Sequence, residues 1–122
     1  MGTYLSTPIV EKDTEEGIDL QSSSTPVSWA VVDMQGWRKS MEDAHLAQSN
    51  VATAVERSSD NTAQVYAVFD GHGGSEVARF CSLYLIDVLK SQPEWQNGKD
   101  VGKALINSFH SLDRMIADGN RR

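Results

Sequence analysis

Val65-Tyr66-Ala67-Val68-Phe69-Asp70-Gly71-His72-Gly73-Gly74 is the stretch on which the fold turns. Its first five residues are all apolar or aromatic, the pattern of a strand buried on both faces. The run stops at an aspartate, a histidine and three glycines, and Ser75 then opens a helical pattern. Two readings of this junction stand. In one, a rigid strand holds the Asp70 carboxylate, the Gly71 carbonyl and the His72 ring together at the lip of a sheet. Hard oxygen ligands beside a titratable ring suit a divalent metal working with a general acid or base. In the other, this is an ordinary strand–turn–helix junction, since glycine and aspartate are what turns use.

Downstream of it the hydrophobic period changes. Val77, Phe80, Cys81, Tyr84, Leu85, Val88 and Leu89 recur at three- and four-residue intervals and predict a helix over about 75–91. Pro93 and Gly98 lie in a break. Asp100 is placed to cap a second helix carrying Val101, Leu105, Phe109, Leu112 and Ile116 on one stripe, with Gly119 at its end. Cys81 falls on the apolar side of the first helix and reads as core packing. His110 lies beside the second stripe and reads as a structural or surface histidine.

Upstream, residues 28–33 have strand composition, and Met34-Gln35-Gly36-Trp37-Arg38 reads as a bend pivoting on Gly36. A further strand is expected from near Met41 toward Gln48, followed by a polar, turn-rich connection over 49–63. Within that strand stand two adjacent carboxylates, Glu42 and Asp43. Neighbours on a strand point to opposite faces, so at most one aims straight at a given ligand. A solvated acidic turn, paired with Arg38 or Lys39, is the competing reading. The three strands predict an antiparallel, meander-like first half, so the expected class is α+β, antiparallel strands packed with two helices. Residues 11–26 are polar, acidic and serine-rich and read as a flexible or surface-draped segment, so 1–26 are expected to be a flexible N-terminal segment, with order over 27–122.

At 122 residues the chain fits one domain. It carries 11 basic and 17 acidic residues, a formal charge of −6, which argues against nucleic acid as a partner because phosphate backbones demand clustered Lys and Arg. The single cysteine excludes an intrachain disulfide and fits a reducing, cytoplasmic setting, with nuclear or peripheral membrane association as alternatives. A cysteine phosphatase loop needs an arginine six positions after its nucleophile, where this chain has Asp87. The glycine spacing at 71, 73 and 74 does not match a dinucleotide loop, and no Gly-Lys-Ser/Thr follows. Met1-Gly2-Thr3-Tyr4-Leu5-Ser6 fits the N-myristoylation pattern at Gly2. The acidic residues that follow predict weak, reversible membrane association.

Three ordered motifs now stand together. They are Met34-Gln35-Gly36-Trp37-Arg38, Met41-Glu42-Asp43-Ala44-His45 and Phe69-Asp70-Gly71-His72-Gly73-Gly74. They closely resemble the N-terminal signatures of the metal-dependent type 2C (PPM) serine/threonine protein phosphatases. The resemblance implies the N-terminal part of an α/β/β/α four-layer sandwich, two Mg²⁺ or Mn²⁺ ions in the complete site, and phosphorylated proteins as substrates. By the same resemblance, Asp70 bridges the two ions and Gly71 gives its carbonyl to one. Glu42 holds the cluster largely through bound water, and Asp43 stands in the outer shell or orients the histidine. Arg38 grips the substrate phosphate, and His72 is the general acid for the leaving seryl or threonyl oxygen. The implied reaction is in-line attack by a metal-bridging hydroxide, with no enzyme nucleophile.

The resemblance runs across nearly the whole chain, but nothing after Gly74 matches the family's later metal-binding segments. Further metal-binding aspartates are expected in Asp-Gly and Asp-Asn contexts, and Asp100, Asp113 and Asp118 sit in helical or helix-end contexts instead. The expectation is therefore an incomplete catalytic domain, inactive alone, that exposes sheet edges and apolar helix sides. The alternative is a catalytically inactive fragment acting as a binding or competing module.

Overall fold

The computed structural model describes residues 4–19, 26–54 and 62–119. Among them the chain runs β1 (Tyr4–Asp19), β2 (Val27–Arg38), β3 (Ala44–Ala52), β4 (Thr62–Phe69), α1 (Glu76–Lys90), α2 (Pro93–Gln96) and α3 (Val101–Gly119). β1 pairs antiparallel with β2, and β3 pairs antiparallel with β4, giving two separate two-stranded sheets. The α+β class is as the sequence predicts. The strand pairing corrects the single meander, because β2 takes its partner from the N-terminal side.

That partner is the segment expected to be flexible. Residues 4–19 form the longest strand among the described residues, in register from Asp13 opposite Asp33 to Asp19 opposite Val27. Its own pattern gives little warning, because Glu11, Lys12, Asp13, Thr14, Glu15 and Glu16 are all exposed. The backbone ladder to β2 supplies the order that apolar burial does not. Residues 1–3 and 20–25 of the predicted flexible stretch lie outside the described residues, as does most of the connection before β4.

Three cross-contacts stack the sheets face to face. Gln64 Nε2 donates to Asp19 Oδ2 at 2.7 Å, His45 Nε2 lies 2.8 Å from Glu15 Oε2, and the Trp29 and Tyr66 rings stand 6.4 Å apart. The opposite face of the β3–β4 sheet carries the helices. Leu46, Ala67 and Phe69 pack with Leu85 and Val88 of α1 and Leu112 of α3. Ala63 and Val65 pack with Val51, Leu89, Trp95 and Ala104. β4 thus alternates, odd residues toward the helices and even residues toward the other sheet, as a strand period of two requires. Burial on both faces is overturned, since Val68 is 76% exposed.

The helices begin and end close to where the sequence puts them. The Lys103 N–H donates to Asp100 Oδ1 at 2.9 Å, so Asp100 caps α3. The buried side of α3 runs through Ala104, Ser108 and Leu112, whereas Phe109 of the predicted stripe is 60% exposed. The break between the long helices contains the short helix α2, which Pro93 starts. Its Trp95 is buried and donates its indole N–H to the Ala52 carbonyl at 2.7 Å, tying α2 to the end of β3. Replacing Trp95 by Phe keeps most of the packing and strands that carbonyl. A loss of about 1–2 kcal/mol is expected, read as a lower midpoint in thermal unfolding.

Candidate metal and phosphate site

Arg38 is the last residue of β2, and the chain crosses from one sheet to the other through residues 39–43. This shifts the predicted second strand: Met41, Glu42 and Asp43 are irregular, and β3 starts only at Ala44. It also shifts the bend, because β2 continues through Gly36, whose φ of +66° accompanies a register irregularity opposite Ile9. Gln35 Nε2 then donates to the Arg38 carbonyl at 2.8 Å, closing a loop around Gly36.

The crossing meets the end of β4. One cavity of about 160 Å³ is lined by Arg38, Glu42, Asp43, Asp70 and Gly71, together with Gln35 and Ser40. Residues far apart in the chain are brought together because β3 and β4 are adjacent and start and stop at the same end, Ala44 opposite Phe69. His72 is not in that cavity. It lines an adjoining, more apolar cavity of about 390 Å³ with Val77, Cys81 and Phe109, and the two cavities share Asp70 and Gly71 as a wall.

The approach of the two segments is close. A Cβ on Gly71 would lie 2.3 Å from the Glu42 carbonyl oxygen and 3.1 Å from the Ala78 Cβ. Glu42 makes a second connection through its side chain. Its Oε1 accepts from Ser40 Oγ at 3.1 Å and from the Gly74 N–H at 3.1 Å. Gln35, Ser40 and the Gly74 amide were given no role from the sequence. Their only signal there is position, inside or beside the motifs that carry Arg38, Glu42 and Asp70.

The lining is of the right kind for a hard divalent cation: carboxylates from Glu42, Asp43 and Asp70, and a backbone oxygen at Gly71 kept free of a Cβ. Among the described residues no three His, Cys, Asp or Glu side chains converge closely enough to hold a metal ion. Arg38 adds an exposed guanidinium on the same wall, suited to two phosphate oxygens at once.

Cys81 stands against the α1–α3 core, and burial pushes its thiol up from the ordinary value. The thiolate is therefore scarce near neutrality, as a packing role allows. Its alkylation by iodoacetamide at pH 8 is expected to be slower in the folded chain than in denaturant. Because the folded value is the raised one, any stability it contributes is fully present below the ordinary thiol range and is lost as pH rises through the folded value. Equal alkylation rates in the two states would contradict this.

The protein phosphatase 2C family model matches residues 27–122, and the chain belongs to that family. It is 36% identical over 113 residues to "Protein phosphatase 2C homolog 2" of Saccharomyces cerevisiae, covering 93% of this chain and 22% of the relative. It is 40% identical over 117 residues to "Probable protein phosphatase 2C 58" of Oryza sativa subsp. japonica, covering 95% and 28%. With human "Protein phosphatase 1G" the identity is 38% over 116 residues, covering 95% and 19%. The chain spans between about a fifth and somewhat over a quarter of the length of these relatives.

Proposed function

We propose that this chain forms part of the site of a metal-dependent protein serine/threonine phosphatase that hydrolyses phosphoserine and phosphothreonine. The observation that carries the reading is the single cavity at which Arg38 meets Glu42, Asp43, Asp70 and Gly71, in a chain of the protein phosphatase 2C family. Asp70, Gly71, Glu42 and Asp43 would hold Mg²⁺ or Mn²⁺. When bound, such ions supply Lewis acidity and the means to deprotonate water near neutral pH. Arg38 binds the phosphate oxygens and meets their charge as the bond to phosphorus breaks. His72, on the far side of the shared Asp70–Gly71 wall, holds the proton that the departing seryl or threonyl oxygen requires.

The test is Mn²⁺-dependent phosphate release from a phosphothreonine peptide. It is run on the 122-residue chain and on a chain extended to the length of the relatives. Release by the extended chain supports the reading. No metal-dependent release from it would favour the alternative of a binding or competing module. Robust release from the 122 residues alone would overturn the view that their ligand set is partial.

Acylation at Gly2, which lies outside the described residues, is a separate proposal resting on Met1-Gly2-Thr3-Tyr4-Leu5-Ser6. Co-expression with an N-myristoyltransferase should add one myristoyl mass to the intact chain after methionine removal. An unmodified mass would remove the proposal, and with it any reversible membrane association.

A further inference from the structure

We propose that Glu42 is a positioning residue: Oε1 of its carboxylate is a hydrogen-bonded clasp that fixes the Asp70–Gly74 loop against the crossing between the sheets. The role that resemblance assigns to Glu42 is charge, held toward metal and water. The contacts describe something different for half of the carboxylate. Oε1 accepts two hydrogen bonds, from Ser40 Oγ and from the Gly74 N–H, each at 3.1 Å. The Ser40 bond is local, two residues back. The Gly74 bond joins segments 32 residues apart.

The loop has reason to need such a tie. Gly73 and Gly74 sit at φ of +71° and +128°, conformations that no side chain of their own restrains. His72 and Gly73 are exposed, and the Ser75 side chain makes no capping bond to α1. The Gly74 amide stands one residue before the α1 N-cap, and Glu42 Oε1 supplies an acceptor for it. The Glu42 backbone completes the joint, its carbonyl lying where a Cβ on Gly71 would intrude. One residue thus contacts the loop at both ends, through its main chain at Gly71 and its side chain at Gly74. The Asp70 carboxylate, the Gly71 carbonyl and the His72 ring are carried between or beside those points. Oε2 remains available to a ligand, so the clasp and the proposed metal role use different oxygens.

This proposal depends on the phosphatase reading only for what the loop carries. Its test is therefore made without metal or substrate, by amide exchange in the ¹⁵N-labelled 122-residue chain. Glu42→Gln keeps an oxygen that can accept from Ser40 and Gly74 but removes the charge. Glu42→Met keeps the length of the stem but removes the acceptor. Gly74 exchange is expected about tenfold faster in Glu42→Met and within about twofold of the parent in Glu42→Gln, while α3 amides stay unchanged in both. Equal acceleration in the two variants would assign the effect to charge and overturn the clasp, as would an unchanged Gly74 amide in Glu42→Met. Should Glu42→Met lose α3 protection, Ser40→Ala decides. It leaves the carboxylate but frees Oε1 of one tether, so a several-fold faster Gly74 amide supports the clasp and an unchanged one overturns it. Amide results as expected with no phosphate release in any form would leave the clasp standing and remove the phosphatase reading.

Discussion

Asp70→Asn in a chain extended to the length of the relatives is expected to lower Mn²⁺-dependent phosphate release on the order of a hundredfold or more. Asparagine keeps the shape of the side chain and one carbonyl oxygen, so what is removed is a charge at the wall shared by both cavities. Asp70 is exposed, immediately after the last residue of β4, and none of the core packing depends on it. The thermal midpoint of the 122-residue chain should therefore move little, within the range of ordinary surface substitutions. This pairing gives the prediction its force. A large loss of release with an unchanged midpoint places Asp70 in the chemistry, whereas a parallel loss of both would make it a folding residue. Retained release would remove it from the proposed site.

Gly71→Ala is expected to damage the fold itself. The new methyl would sit 2.3 Å from the Glu42 carbonyl oxygen and 3.1 Å from the Ala78 Cβ. Neither obstacle is the far end of a flexible side chain. One is backbone in the crossing between the sheets, and the other is fixed on the buried side of α1. Relief requires the crossing and the loop to separate, at a cost of about 2–3 kcal/mol, the upper part of the usual range for overpacking. In urea the unfolding midpoint should fall by about 1 M or more with an unchanged slope. An unaltered midpoint would mean that the two segments do not approach as closely as described. The same separation breaks the clasp, so the Gly74 amide should lose protection even where the rest of the chain stays folded.

The reason Gly71 has no side chain differs between sequence and structure. As a sequence, the glycine leaves a carbonyl open to a ligand. In the fold it also makes room for the chain segment that brings Glu42 and Asp43 to the site. The second requirement cannot be seen in the pattern, because it depends on a contact between residues 29 positions apart, set by the register of β3 on β4. Gln35 and Ser40 are similar. Each is an unremarked polar residue in a motif until the loop around Gly36 and the crossing give it an acceptor.

What was legible locally held well. The apolar period of the two long helices, the Asp100 cap and the strand leading into Asp70 follow from short-range rules of spacing and hydrogen bonding. The antiparallel pairing of β3 with β4 is as expected, and the pairing of β2 with β1 is not. The middle of β1, Glu11 to Glu16, is written entirely in polar and charged residues, so no period of two marks an inward face there, and its order comes from pairing with β2. Without it, β2 reads as the first strand of one meander with β3 and β4. The odd residues of β4 are packed on the helices, yet Val68 is 76% exposed on the other face.

The sequence by itself determined the family, the residue types of the site and the order of the helices, since each is carried by neighbouring residues whose chemistry does not depend on distant contacts. Only the tertiary structure decided which of those residues meet. It gathers Arg38, Glu42, Asp43, Asp70 and Gly71 at one cavity, sets His72 on the next, and commits one oxygen of Glu42 to the loop beside it. The physical reason is that strand pairing and register act across tens of residues, and the polar middle of β1 leaves no periodic trace along the chain.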